Sequence, residues 1–230
     1  MALAVVALCG YLIGSINPAI LISRFVYGKD VREFGSGNAG MTNMVRSFGK
    51  KAGTATLVAD MAKGVLAVVL GRWLATLIDP VDAAMFDISL FAGYVAAIAT
   101  ILGHMFPIYF KFKGGKGVAT SGGVILALQP VLALILIGIF LIIFFISKMV
   151  SLSSIIGISL YPVVTFIWCM LGFGQHIVFS TICSAVVAGL VVWMHRENIK
   201  RIASGTEYKF GQKKPREAEE PETEKTETAS

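Results

Sequence analysis

The chain has 230 residues, 56% of them hydrophobic and only 15% charged, and a mean hydropathy of +0.76. Soluble domains carry about 25% charged residues, so this composition excludes a globule coated by water and points to a polytopic membrane protein. The net charge is +6, but the basic residues lie in loops between apolar runs, which argues against nucleic acid as a partner. Cys9, Cys169 and Cys183 all fall inside apolar stretches, which excludes a disulfide framework or a spaced zinc site.

The first apolar run is Ala2 to Ser23. It has no positive leader region, and its basic residues Arg24, Lys29 and Arg32 follow it, so it reads as a retained span and not as a cleaved signal peptide. The second run, Thr54 to Ile78, contains Asp60, Lys63 and Arg72, and the third extends from Phe86 to Met105. A long block, Val118 to Ile146, precedes Val150 to Leu171 and Ile177 to Met194. From Lys209 the sequence KFGQKKPREAEEPETEKTETAS has no apolar periodicity, so residues 209–230 are expected to be a disordered cytoplasmic tail and residues 1–208 the membrane domain.

Basic residues set the expected orientation. They concentrate in Arg24–Lys51, in Pro107–Gly117 and in Arg196–Tyr208, whereas the connector Asp79–Asp87 has three Asp and no Lys or Arg. The positive-inside rule places the three basic segments in the cytoplasm and the N-terminus outside. An even number of crossings must then separate Lys111–Lys116 from the cytoplasmic C-terminus, yet three apolar blocks would give an odd number. A break at Gln129-Pro130 resolves this, because proline disfavours helical continuation. The expectation is an all-α membrane protein of seven helices, with Lys148 inside. Its fourth segment, Val118 to Gln129, would be only about 18 Å long, short for a core of about 30 Å.

The three cytoplasmic segments share one character. They contain GSGNAGMTNMVR (35–46), GHMFPIYFKFKGGKGVATSGG (103–123) and HRENIKRIASGTE (195–207). Glycines let backbone N–H groups converge on an anion, Ser, Thr and Asn add short donors, and Arg or Lys adds charge. Two such loops side by side, each feeding a helix N-terminus, would make a phosphate site. Two look-alikes fail. Gly35, Gly37 and Gly40 match G-x-G-x-x-G, but the neighbours are membrane spans and not a βαβ unit. FKGGKG resembles a Walker A loop, but Gly117 stands where Ser or Thr is required.

Asp60 and Lys63 are three residues apart on one helical face, where they can pair, and a charge at the bilayer centre costs about 2.5–3.5 kcal/mol, so both should face the bundle interior as a structural pair. His195, at the membrane boundary, is a candidate general base or phosphate ligand, or simply a polar cap. His104 reads the same way, and His176 as incidental. The three histidines lie in separate segments without nearby cysteines, so no metal and no cofactor is expected.

At these three segments the chain resembles the bacterial acyl-phosphate:glycerol-3-phosphate acyltransferases, with the similarity covering about residues 1–208. GSGNAGMTN is similar to the family's first motif, GHMFPIYFKFKGGKGVAT to its second and HRENIKRIASGTE to its third. One departure is Ala39, where the family usually has proline; it removes no candidate ligand. The resemblance implies transfer of a fatty acyl group from acyl phosphate to the sn-1 hydroxyl of glycerol 3-phosphate, at the cytoplasmic side of a bacterial inner membrane among membrane lipids. It implies Arg46, Lys116 and His195 as catalytic residues. It implies Ser36, Gly37, Asn38, Thr42, Asn43, Gly114, Gly115, Gly117 and Asn198 as substrate ligands.

The physical case stands beside the resemblance. An acyl phosphate is a mixed anhydride with a good leaving group, so positioning and charge stabilisation carry most of the work. The chain has no G-x-S-x-G elbow, and Tyr109, Thr181 and Lys200 stand where an H-x4-D pattern would need aspartate. Direct attack by the glycerol hydroxyl is the simplest route, with the proton passing to His195 or to a substrate phosphate. The rival reading is a transporter of an organic phosphate. Against it, all motifs lie on one side and no internal repeat spans half the chain.

Overall fold

Three prolines, Pro18, Pro130 and Pro162, stand where apolar runs divide into separate helices. In the computed structural model, which describes residues 1–80 and 87–212, α1 (Ala2–Ser15) stops short of Pro18, and α2 (Pro18–Tyr27) begins on it. Asn17 caps α2, its Oδ1 accepting from the Ile20 N–H at 3.1 Å. A short 3-10 turn, Val31–Glu33, leads through the first glycine segment to α3 (Met41–Phe48) and α4 (Lys50–Ile78). Then come α5 (Ile88–Met105), a 3-10 turn at Ile108–Phe110, α6 (Val118–Leu128) and α7 (Pro130–Ser147). The chain continues with α8 (Val150–Ser159), α9 (Tyr161–Met170), α10 (Ile177–Met194) and α11 (Arg196–Ala203).

Among the described residues every regular element is helical, and six stretches are long and apolar enough to cross a membrane. The expected break at Gln129-Pro130 is where α6 ends and α7 begins. At 11 residues, α6 spans only about 16 Å. Burial sorts the helices into layers. The α5 span is 56% buried, whereas the α7 span, the most apolar of the set, is only 17% buried. So α5 is the axis of the bundle, and Leu134, Ile142 and Phe145 of α7 stay exposed to face lipid.

Contact between α1 and α5 depends on small residues. Gly10 and Gly14 of α1 lie against Ala96, Ala99 and Thr100 of α5, and a Cβ on Gly14 would sit 2.7 Å from the Thr100 Cα. Helices in lipid gain little from burying apolar surface against each other, so close backbone approach through small residues supplies the van der Waals contact.

One end of the bundle collects the basic segments. The Phe210 N–H donates to the Lys148 carbonyl at 2.7 Å, and the Phe210 ring packs against Phe144. Lys148, the third polar segment and the first four residues of the expected tail therefore share that end. The remainder of the expected tail, residues 213–230, and residues 81–86 of the acidic connector lie outside the described residues. At the opposite end Arg72, Asp87, Gln129, Trp168 and Gln175 surround a second cavity of about 450 Å³, which none of the three segments lines.

Candidate active site

The first polar segment is a loop held by two side-chain amides, Asn43 and Asn17, the latter donating to the Ala39 carbonyl at 3.4 Å. Asn43 Nδ2 donates to the carbonyls of Val31 and Phe34 at 3.0 and 2.9 Å, and its Oδ1 accepts from the Ser36 N–H at 3.0 Å. These bonds commit the Asn43 amide to holding the loop, although the residue also lines the cavity. Thr42 and Arg46 are four apart, so they share one face of α3. The Arg46 guanidinium lies 3.9 Å above the Tyr208 ring, and among the described residues its buried Nε has no hydrogen-bond partner. Arg46 also lines the large cavity.

Backbone hydrogen bonds lay the second segment back along the end of α5. The Gly114 N–H donates to the Met105 carbonyl at 3.2 Å and the Gly115 N–H to the His104 carbonyl at 3.1 Å. Arg32 joins the first segment to the second, donating to the carbonyls of Phe110 and Lys113. Neither α3, which starts after Gly40, nor α6, which starts after Gly117, has a side-chain cap on its first turn. Gly40, Met41, Gly117, Val118 and Ala119 all face the same cavity. Two helix N-termini thus bring unpaired N–H groups and positive dipole ends to one place. Lys116 joins them; burial, and after it the charge of Arg201, pull its ammonium pKa down to about 8. Lys111 and Lys113 are exposed.

The third segment supplies an imidazole and a polar brace. His195 Nδ1 lies 2.7 Å from the Val191 carbonyl, which can only accept, so Nδ1 carries the proton and Nε2 holds the lone pair. Burial, reinforced by the charge of Lys116, pushes the His195 pKa down to about 4. Lys116 donates to Asn198 Oδ1, while Asn198 Nδ2 donates to Glu207 at 2.7 Å. Glu207 also accepts from Ser151 Oγ at 2.6 Å and Arg201 Nε at 2.7 Å. Burial alone would raise its pKa, but these hydrogen bonds outweigh burial and hold it below the ordinary carboxylate range.

These groups share one cavity of about 940 Å³. Its polar end is lined by Ser36, Gly37, Asn38, Thr42, Asn43, Arg46, Gly114, Lys116, Gly117, His195 and Asn198. Away from it the walls are mostly apolar: Leu57 and Met61 of α4, Ile125 of α6, Leu136, Ile137 and Phe140 of α7, and Ile158 of α8. A polar head with a long apolar body fits such a space. Of the residues expected at the site, Gly115 does not line the cavity; it lies behind it, against His104.

Several lining residues were not legible beforehand. Glu207 and Arg201 stand inside the third segment, where a carboxylate and a guanidinium six residues apart were the available signal. Tyr208 follows directly, and Ser151 belongs to a run of serines (SLSS) in an otherwise apolar helix. Asp60 and Lys63 pair as expected, at 2.8 Å. The cap reading of His104 is corrected: it is only 3% exposed, and its Nδ1 lies 2.8 Å from Lys63 Nζ. The expectation failed because sequence spacing cannot show which residue of another helix faces an imidazole.

A family profile described as glycerol-3-phosphate acyltransferase matches residues 4–205. The chain is 39% identical over 210 residues to the glycerol-3-phosphate acyltransferase of Clostridioides difficile (strain 630), covering 91% of this chain and 96% of that one. It is 38% identical over 209 residues to the protein of the same name from Bacillus subtilis (strain 168), covering 91% and 98%. Among solved structures it is similar to the crystal structure of PlsY (YgiH), an integral membrane glycerol 3-phosphate acyltransferase, in its glycerol 3-phosphate form. The TM-score is 0.74 and the identity 34%, with 92% of this chain and 96% of that chain covered. The lysophosphatidic acid form of that protein matches with a TM-score of 0.73.

Proposed function

We propose, as this chain belongs to the glycerol-3-phosphate acyltransferase family, that its large cavity is the active site, where an acyl phosphate meets glycerol 3-phosphate. The enzyme transfers a fatty acyl group to glycerol 3-phosphate and forms lysophosphatidic acid, an early step of phospholipid synthesis. One observation carries the assignment: cations, two uncapped helix N-termini and a long apolar wall converge on one space. Phosphates belong at the first two features and a fatty chain at the third.

In the reaction the sn-1 oxygen attacks the acyl carbonyl, the bond from that carbon to the phosphate oxygen breaks, and inorganic phosphate leaves. Lys116, Arg46 and the N–H groups of the glycine segments stabilise the charge that gathers on the leaving phosphate in a partly dry site. His195, neutral with its lone pair on Nε2, accepts a hydrogen bond from the attacking hydroxyl and orients it. With a pKa of about 4 it is a poor resting place for the proton. A phosphate oxygen of the substrates is the stronger base and takes the proton as the new ester forms.

The same reading includes seven crossings, with the N-terminus outside and the site at the cytoplasmic face of the inner membrane. It is supported by the common end shared by Lys148, Phe210 and the basic segments. The test is purified protein given acyl phosphate and glycerol 3-phosphate, with acyl-CoA and acyl-carrier protein as alternative donors. Lysophosphatidic acid from acyl phosphate alone is the expected result. Phosphate movement across vesicles without that product would establish the transporter reading instead.

A further inference from the structure

Asp60, Lys63 and His104 form a buried cluster immediately behind the second glycine segment, at 1%, 7% and 3% exposure. Lys63 Nζ lies 2.8 Å from Asp60 Oδ1, 2.8 Å from His104 Nδ1 and 2.9 Å from the Ile16 carbonyl at the break between α1 and α2. His104 Nδ1 faces Lys63 Nζ and, at 3.2 Å, Asp60 Oδ1 as well, so the imidazole is held between the two members of the pair. One carboxylate oxygen, Asp60 Oδ1, thus touches both Lys63 Nζ and His104 Nδ1, and a buried pair of this kind at membrane depth is costly to keep.

The far side of the imidazole meets the glycine segment. A Cβ on Gly115 would collide with His104 Nε2 and lie 2.7 Å from the Ala39 carbonyl. Gly115 is thus wedged between this ring and the first polar segment, and its N–H is already bonded to the His104 carbonyl. The next residue is Lys116. Neither Lys63 nor Gly115 lines the cavity, whereas Asp60 and His104 form part of its wall.

We propose that the Asp60–Lys63–His104 cluster is a positioning device for Lys116. Lys63 and Asp60 hold the imidazole in one orientation, and the held ring sets the height of Gly115 and so the reach of the ammonium that follows. A costly buried ion pair is retained because it connects the α1–α2 break, α4 and α5 to the segment that carries the phosphate-binding lysine. This rests on the assignment of Lys116 to the leaving phosphate.

A double-mutant cycle tests it, using full-length protein at matched amounts of folded material, with kcat and KM measured for both substrates. His104→Asn keeps a polar group beside Lys63 and Asp60 but ends short of Gly115, so kcat should fall by about tenfold or more, as small displacements of a catalytic group do. His104→Gln reaches the Nε2 position and should recover part of that loss; it also serves if His104→Asn fails to fold. In a Lys116→Ala background, His104→Asn and His104→Gln should change the rate by less than about twofold, because the group they position is gone. Multiplicative effects of the two sites, or full activity of His104→Asn, would overturn the proposal. A normal rate for Lys116→Ala alone would instead show that the assignment of Lys116 is wrong, and the positioning role would go with it.

Discussion

Lys116 and Asn198, 82 positions apart, are joined by a hydrogen bond from the ammonium to the amide oxygen. The other end of the same amide is bonded to Glu207, so Asn198 bridges a cation and a carboxylate that both line the cavity. Lys116→Ala should slow acyl transfer by about a hundredfold, the scale of losing one preorganised electrostatic group. Lys111→Ala and Lys113→Ala should do far less, since both side chains are exposed. Initial rates of the three variants decide this, and near-normal activity of Lys116→Ala would remove the glycine segment as the phosphate clamp.

The depressed pKa of Lys116 gives a pH dependence of definite sign. In the proposed mechanism the charged form binds phosphate, and in the free enzyme that form is lost as pH rises through about 8, well below the ordinary lysine value. The pH profile of kcat/KM should therefore fall by about tenfold per unit above that point. Lys116→Arg, slower at its optimum because a planar fork replaces a compact charge, should show no such alkaline limb up to pH 10. A limb that persists in Lys116→Arg would assign the titration to another group.

Tyr208 supports Arg46 through the face of its ring. Tyr208→Phe keeps the face and should stay close to the parent rate. Tyr208→Ala should lose about threefold to thirtyfold, the range of a partly desolvated cation–π contact. Equal losses in both variants would show that the hydroxyl matters and the stack does not.

Truncation separates the tail from the site. Removal of residues 213–230 should leave the rate unchanged. A truncation after Tyr208 also removes the Phe210 anchor on Lys148 and Phe144 but no residue that lines the cavity, so most activity should remain. Loss of activity in a folded, membrane-inserted truncation after Tyr208 would give the segment a catalytic role.

Single cysteines at positions 129 and 148, in a background without Cys9, Cys169 and Cys183, report the topology. An impermeant thiol reagent applied to intact cells should label position 129 and spare position 148. Labelling of position 148 from outside would invert the proposed orientation.

Much of this protein was legible from residue order alone, because bilayer thickness and the cost of burying charge act on local sequence. Apolar run lengths and the Gln129-Pro130 break locate the helices, and glycine with interleaved Ser, Asn, Arg and Lys marks all three segments that line the cavity. Partners across the fold were decided only by tertiary structure. Nothing local shows that Arg46 lies on Tyr208, that Ser151 reaches Glu207, or that His104, far from Lys63 in sequence, lies against it. Those contacts depend on how α3, α4, α5 and α8 are rotated about their axes and on where the chain runs beyond α11. Asn43 illustrates the division: its amide and position announce a polar role, but only the folded loop shows that Val31, Phe34 and Ser36 claim its hydrogen bonds.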